Sequence, residues 1–220
     1  MKLFRTVPIF TALAVSLCAQ NPPGRTSSSA VDNEHIRVTK VTQQPHQKTR
    51  PHQHNMNRVM VYLTPGSQVN DYQDGKKEVL NFKAGEALWS AAGGIHVAEV
   101  TSAEPITIVE MELRKPTGKA MTASLDPLKV DPKHYKLEFE NSQVRVIRVK
   151  IVPHETVPLH EHMDRVAVYL TGQNFRVTEA GGNVHTQTRN AGDVAWGDTV
   201  KHSEVNSGDE PFEALVVELK

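Results

Sequence analysis

Short runs in which apolar and polar residues alternate recur through the chain. In Arg58-Val59-Met60-Val61-Tyr62-Leu63, one face takes Val59, Val61 and Leu63 and the other takes Arg58, Met60 and Tyr62. That is the period of two expected of a β-strand, whose successive side chains point to opposite faces. Similar β-rich runs occupy 36–41, 79–82, 87–89, 96–100 and 106–113, and later 144–149, 165–170, 175–178, 194–196 and 212–219. No stretch of comparable length has helical periodicity, and Gly, Pro and Asn punctuate the runs. The pattern predicts an all-β chain built as an antiparallel sandwich or barrel.

The pattern is written twice. Asn33-Glu34-His35-Ile36-Arg37-Val38 returns as Asn141-Ser142-Gln143-Val144-Arg145-Val146, and Arg-Val-x-Val-Tyr-Leu-Thr occurs from Arg58 and again from Arg165. Ala84-Gly85-Glu86 matches Ala191-Gly192-Asp193, Trp89 matches Trp196, and Glu112 matches Glu218, each about 107 positions on. An internal duplication with one structural unit per copy is the direct reading. Between the copies, Pro116, Gly118, Pro127 and Pro132 deny a long helix or central strand and mark a linker.

The first residues read as an export signal. Lys2 and Arg5 give a positive start, 7–15 an apolar stretch, and Ser16-Leu17-Cys18-Ala19 a small-residue end suited to cleavage. The apolar run is too short to be a transmembrane helix. A secreted or periplasmic location follows. Lipid anchoring through Cys18 is disfavoured because Leu17 is larger than the residue that usually precedes such a cysteine. The expected organisation is a signal peptide over 1–19, a flexible leader over 20–30, a first unit over 31–114, a linker over 115–134 and a second unit over 135–220.

Acidic and basic residues balance at 25 each, so nothing in the charge points to nucleic acid. A single cysteine excludes disulfides within the chain and any cysteine-rich metal site, leaving nitrogen and oxygen ligands for a metal. There is no serine or cysteine nucleophile signature and no phosphate-cradling glycine loop. Histidine, by contrast, is abundant, with 11 in the chain. His52-Gln53-His54 follows Arg50-Pro51, and His160-Glu161-His162 follows Pro158-Leu159 at the matching place in the second copy. Histidines at i and i+2 of a strand project to one face and can aim two imidazoles at one ion. If the strand runs unbroken from His52 to Tyr62, then Arg58, Met60 and Tyr62 share that face. One residue fewer separates His162 from Arg165, so a bulge or turn is expected there, and by analogy in the first copy.

In these residues the chain resembles the cupin superfamily, and its duplication resembles a bicupin. The two His-x-His pairs match that family's first motif, with Gly172 at its closing glycine. Gly85, Gly93 and His96, and then Gly192, His202 and Asn206, match its second. The resemblance covers roughly residues 33–220 and implies two tandem jelly-roll β-barrels. It departs from the pattern where the family has a glutamate ligand, since Arg58 and Arg165 stand there and a guanidinium cannot coordinate a cation. His46 and His154 replace the opening glycine, and Ala91 and Asp198 replace a proline.

What the resemblance implies for metal binding is a three-histidine set per unit: His52, His54 and His96, and His160, His162 and His202. Such sets suit a divalent transition metal (Fe, Zn, Cu, Ni or Mn) with positions left open for a small-molecule ligand. The second unit is favoured because it keeps Gly172 and Asn206, and because Glu204 lies two residues after His202 on the same strand face. Glu99, three residues after His96, should point away. Arg165, Tyr169 and Glu204 are the candidate catalytic groups. Arg58 and Arg165 could bind an anionic substrate, but the expectation is a buried ion pair with Glu112 or Glu218. Trp89 and Trp196 are expected in the core and His46 and His154 in exposed turns, while His35, His134 and His185 acquire no role. The resemblance leaves open a metal-dependent dioxygenase or related oxidoreductase on a small organic substrate, a non-catalytic barrel that binds metal or a small ligand, and a structural scaffold. Assembly as a homodimer also stays open.

Overall fold

The alternation seen in the sequence becomes two nine-strand units with the same order of elements. The structure, a computed structural model, describes residues 24–220. The signal peptide expected over 1–19 and the anchoring question at Cys18 therefore lie outside the described residues. The first unit contains β1 (Arg25–Asp32), β2 (Ile36–Gln43), β3 (His52–His54), β4 (Arg58–Tyr62), β5 (Gly66–Tyr72), β6 (Lys77–Phe82), β7 (Glu86–Ser90), β8 (Gly93–Val100) and β9 (Ile106–Leu113). The second contains β10 (Tyr135–Glu140), β11 (Val144–Ile151), β12 (Thr156–His162), β13 (Arg165–Tyr169), β14 (Gln173–Glu179), β15 (Val184–Arg189), β16 (Val194–Gly197), β17 (Val200–Asn206) and β18 (Phe212–Leu219).

Each unit closes from a five-stranded and a four-stranded antiparallel sheet. The first has β1-β2-β9-β4-β7 facing β3-β8-β5-β6, and the second has β10-β11-β18-β13-β16 facing β12-β17-β14-β15. Every strand of one copy thus has its counterpart in the other, and the all-β fold of two tandem jelly-roll barrels is established. Matching turns recur too: Asn33 Oδ1 accepts from the amides of His35 and Ile36, and Asn141 Oδ1 from those of Gln143 and Val144. His46 and His154 both adopt left-handed backbone at φ 56° and 65°. That is the conformation a glycine fills most readily, and both side chains are exposed as expected.

The alternation in 58–63 separates two cores rather than core from solvent. Met60 and Tyr62 point into the first barrel, where they join Phe82, Val100, Ile106 and Ile108. Val59 and Val61 point outward, yet both are fully buried, because the outer faces of the two five-stranded sheets pack on each other. Val38, Val109 and Met111 of the first unit meet Val144, Val146, Val166 and Val217 of the second in this shared core, with Trp89 and Trp196 packed at its margin. A sheet buried on both faces is rich in Val and Ile, and β4, β9, β11 and β18 read that way. The interface is also keyed by a reciprocal pair of contacts. Lys40 Nζ donates to the Gly192 carbonyl at 3.1 Å and Arg148 Nη2 to the Gly85 carbonyl at 2.6 Å. Both glycines have positive φ, and a Cβ at either would stand 3.0 Å from the opposite unit.

Two expectations are corrected. The leader expected over 20–30 is strand from Arg25, since β1 pairs with β2 from Arg25↔Gln43 onward. This edge strand, Arg-Thr-Ser-Ser-Ser-Ala-Val-Asp, is mostly exposed, so no buried face imposed an apolar pattern on it. The linker over 115–134 is partly ordered, with a 3₁₀ turn at Ala123–Leu125 and a short helix, α1 (Pro127–Val130), whose first turn is capped by the Asp126 side chain accepting from Leu128 N. The break expected between the histidine pair and the following strand is present in the first copy, where β3 and β4 belong to different sheets. The residues 55–57 carry the chain across the barrel. Among the described residues no helix is long and apolar enough to cross a membrane.

Candidate metal centre

Each barrel gathers three imidazoles at one end of its four-stranded sheet. In the second unit, β12 supplies His160 and His162 and the antiparallel neighbour β17 supplies His202, which lies directly across from His160. The first unit repeats this with His52 and His54 on β3 and His96 across from His52 on β8. In both triads the ligand nitrogens lie within 4.8 Å of one another, so either could hold a metal ion. The register shifts between His52 and His54 in the first pair and just before His160 in the second.

The hydrogen bonds around the second triad fix its tautomers. His160 Nδ1–H donates to the Pro158 carbonyl at 2.8 Å, and His162 Nδ1–H donates to Glu218 Oε1 at 2.6 Å. Both Nε2 atoms therefore carry bare lone pairs, and they face each other at 3.2 Å. The nearby Tyr135 hydroxyl, 3.1 Å from His160 Nε2, donates its proton to Glu204 Oε1 at 2.8 Å. Converging lone pairs with no proton between them are what a bound cation satisfies, and an oriented imidazole backed by a carboxylate is the usual support of a metal ligand. Burial is nearly complete: His160 is 0%, His162 3% and His202 7% exposed. That burial, with Arg165 nearby, holds His162 and His202 well below the ordinary histidine range, in the neutral form that coordinates metal. The donor set fits a divalent transition metal.

Glu218 is itself anchored. Its other oxygen accepts from Arg145 Nε at 2.8 Å and Nη2 at 2.6 Å, and Arg145 Nη1 reaches Asp126 at 3.0 Å. The ion pair expected between Arg165 and Glu218 is therefore corrected. β18 lies between β11 and β13, which puts Arg145 and Arg165 on either side of Glu218, and the carboxylate is held by Arg145. The first unit makes the same choice, with Glu112 taken by Arg37 rather than Arg58. Sequence reasoning considered the central-strand glutamates but only one of their two neighbouring arginines. It also passed over Tyr135, which has no counterpart in the first copy, and His134, which bridges Asp131 and Glu155 at 2.6 Å each.

The two arginines that open β4 and β13 behave differently. Arg165 Nη1 donates to the Asp198 carbonyl at 2.8 Å, and the side chain lines a cavity of about 330 Å³ with His162, His202, Tyr135, Tyr169 and Glu204. Arg58 instead donates from Nη1 to His54 Nε2 at 2.8 Å and from Nη2 to Ser90 Oγ at 2.9 Å. Its Nε is buried with no partner. His54 is pushed down to about 3 by burial and then by the Arg58 charge. His52 is tied as His160 is, through Nδ1–H to the Arg50 carbonyl (2.9 Å), and His96 through Nδ1–H to the Gly94 carbonyl (3.1 Å). The first cavity is larger, about 840 Å³, and lined by Gln68, Asn70, Tyr72 and Glu78 among others. Glu99 points away from it to Lys48, as parity predicted.

No protein-family model matches this sequence, and no curated protein matches it in sequence. Solved structures match it in fold. AerE from Microcystis aeruginosa superposes with a TM-score of 0.67 at 14% identity, covering 94% of this chain and 95% of that one. A Cupin 2 conserved barrel domain protein from Leptotrichia buccalis superposes at 0.56 with 12% identity, covering 93% of each chain. Lactobacillus farciminis oxalate decarboxylase, in a formate complex, superposes at 0.63 with 14% identity over 91% of this chain and 82% of that one. At such identities the likeness is one of fold.

Proposed function

Starting from a chain that has the cupin fold twice over, we propose that its second barrel is a metal-dependent enzyme site acting on a small organic anion, an oxidoreductase of the dioxygenase type. One observation carries this reading. Three converging imidazoles, two of them with their outer nitrogens tied off, stand beside a cavity that His162 and His202 line together with a guanidinium, Arg165, that has no carboxylate partner within ion-pair distance among the described residues. A buried cation without an anion is costly, and an anionic ligand offsets that cost. The oxalate decarboxylases that share the fold take, by name, a small carboxylate, which is the group a guanidinium suits.

His160, His162 and His202 would hold the metal, which when bound would act as a Lewis acid toward a substrate oxygen. Glu218 and the Pro158 carbonyl keep His162 and His160 in the ligating tautomer. Arg165 would orient the substrate's anionic group. Tyr135 and Glu204, 2.8 Å apart, can exchange a proton at the cavity wall. Tyr169 lines the same cavity and shapes it. The apolar wall of Val177, Phe175 and Phe212 limits water around the substrate. The export-signal pattern of residues 1–19 supports a secreted or periplasmic setting for this activity.

The test is elemental analysis of untagged protein from the exported fraction, with a His160→Ala variant beside it. Near-stoichiometric transition metal, lost in the variant, is the expected result. No metal above background after reconstitution would remove the reading. The second reading, a non-catalytic binder of metal or small ligand, is favoured by arginine standing where the fold's relatives carry a glutamate ligand. It predicts metal retention with no turnover of small carboxylates under oxygen.

A further inference from the structure

We infer that the two triads of this chain are not equivalent, and that Arg58 closes the first to metal while Gly197 keeps Arg165 from closing the second. The inference rests on the metal site proposed above and concerns what decides which copy can form it.

Arg58 and Arg165 occupy matching positions on β4 and β13, each at the strand's first residue. In the first unit the guanidinium uses the Nε2 lone pair of His54, the atom that would ligate. A metal there would have to displace an always-charged group and then sit beside it. In the second unit, His162 Nε2 faces His160 Nε2 and Arg165 is drawn off to the Asp198 carbonyl.

The difference traces to the strands opposite. Arg58 pairs across from Ser90, the last residue of β7, and Arg165 across from Gly197, the last residue of β16. The Ser90 hydroxyl accepts from Arg58 Nη2 and holds the guanidinium in place over the triad. At Gly197 there is no side chain to do this, and a Cβ would stand 3.0 Å from Arg165 Cζ and Nη1, so the guanidinium lies against the bare strand. Its anchor is also built. Asp198 accepts from Trp196 Nε1 at 3.0 Å, and Thr199 donates from its amide and hydroxyl to the buried Asp164 at 2.7 and 2.8 Å. These bonds fix the turn that presents the Asp198 carbonyl. Ala91, at the matching place in the first unit, has no side chain that could accept from Trp89.

The experiment is zinc stoichiometry after equilibrium dialysis of the full exported chain against low-micromolar ZnCl₂. The wild type should hold one equivalent, His52→Ala should still hold one, and His160→Ala should hold none. Arg58→Met should raise the count to two, and Ser90→Gly, a milder change, should strengthen first-site binding at least tenfold should Arg58→Met fail to fold. In the opposite direction, Gly197→Ser should weaken second-site binding by at least tenfold. Two equivalents in the wild type, or a count unchanged at one in both Arg58→Met and Ser90→Gly, would overturn the inference. So would zinc lost in His52→Ala and kept in His160→Ala. A wild type that holds no zinc at all, even after reconstitution, would fail the proposed function itself, a result distinct from these.

Discussion

Glu218 is the residue whose replacement should cost the fold most for the smallest chemical change. It is fully buried, and its two oxygens take three short hydrogen bonds, two from Arg145 and one from His162. Glu218→Gln keeps the shape and removes the charge. Arg145 would retain Asp126 at 3.0 Å, so its guanidinium would lose one of two anions. Breaking a buried pair from one side costs about 3–5 kcal/mol. With Asp126 still in place the expected loss is at the low end, about 3 kcal/mol. For a chain of this length that corresponds to a melting temperature lower by about 6–12 °C.

The duplication supplies the control. Glu112 pairs with Arg37 at the same strand positions, but the Arg37 side chain is 48% exposed. Glu112→Gln should therefore cost less than about 1 kcal/mol. Urea unfolding at one fixed pH reads both; burial pushes the Glu218 carboxyl above the ordinary carboxylate range against the pull of Arg145. The midpoint should move with the slope unchanged. Adding Arg145→Met to Glu218→Gln should cost less than the sum of the two single changes, since both break the same pair. Equal costs at Glu218 and Glu112, or fully additive costs in the double variant, would refute the argument that burial makes this pair matter.

Two further outcomes follow from other parts of the fold. His134 is held above the ordinary histidine range: burial lowers it, but the hydrogen bonds it donates to Glu155 and Asp131 outweigh that. A raised folded value means its stabilisation is complete below about pH 6.5 and is lost as pH rises through the folded value. The melting-temperature gap between wild type and His134→Gln should therefore narrow steadily from pH 6 to pH 9, and a gap that widens over that range would contradict the assignment. Met111→Ala, in the core shared by the two units, should cost about 2–5 kcal/mol in urea unfolding. Val79→Ala, on an exposed strand position, should cost within about 0.5 kcal/mol. A neutral Met111→Ala would mean that the outer sheet faces are not packed together.

Much of the site was legible because two of the three histidines in each triad lie two residues apart on one strand. A His-x-His pair on a strand needs only the period of two to point both imidazoles one way, and its recurrence with His96 and His202 marked both triads. Glu204 was found by the same parity, and Glu99 was correctly set aside by it. The polar strands β1, β5 and β15 were not legible, because an edge strand or a strand lining a polar cavity carries no apolar alternation. Nor was the partner of Glu218. A glutamate on a central strand has a neighbour on each side, and which arginine it takes depends on burial and on Asp126 arriving from the linker.

The sequence by itself determined the all-β class, the duplication and the two sets of converging histidines, since each follows from periodicity, repetition and side-chain chemistry along the chain. Only the tertiary structure decided that the Val59–Val61 face seals one unit to the other rather than meeting water. It alone showed that Tyr135 and Arg145 close around the second triad, and that Arg58 and Arg165, the same residue in the same motif, turn in opposite directions. The reason is that these outcomes depend on what lies across a sheet or a barrel. There Ser90 or Gly197, far from the arginine in sequence, sets where the charge can rest.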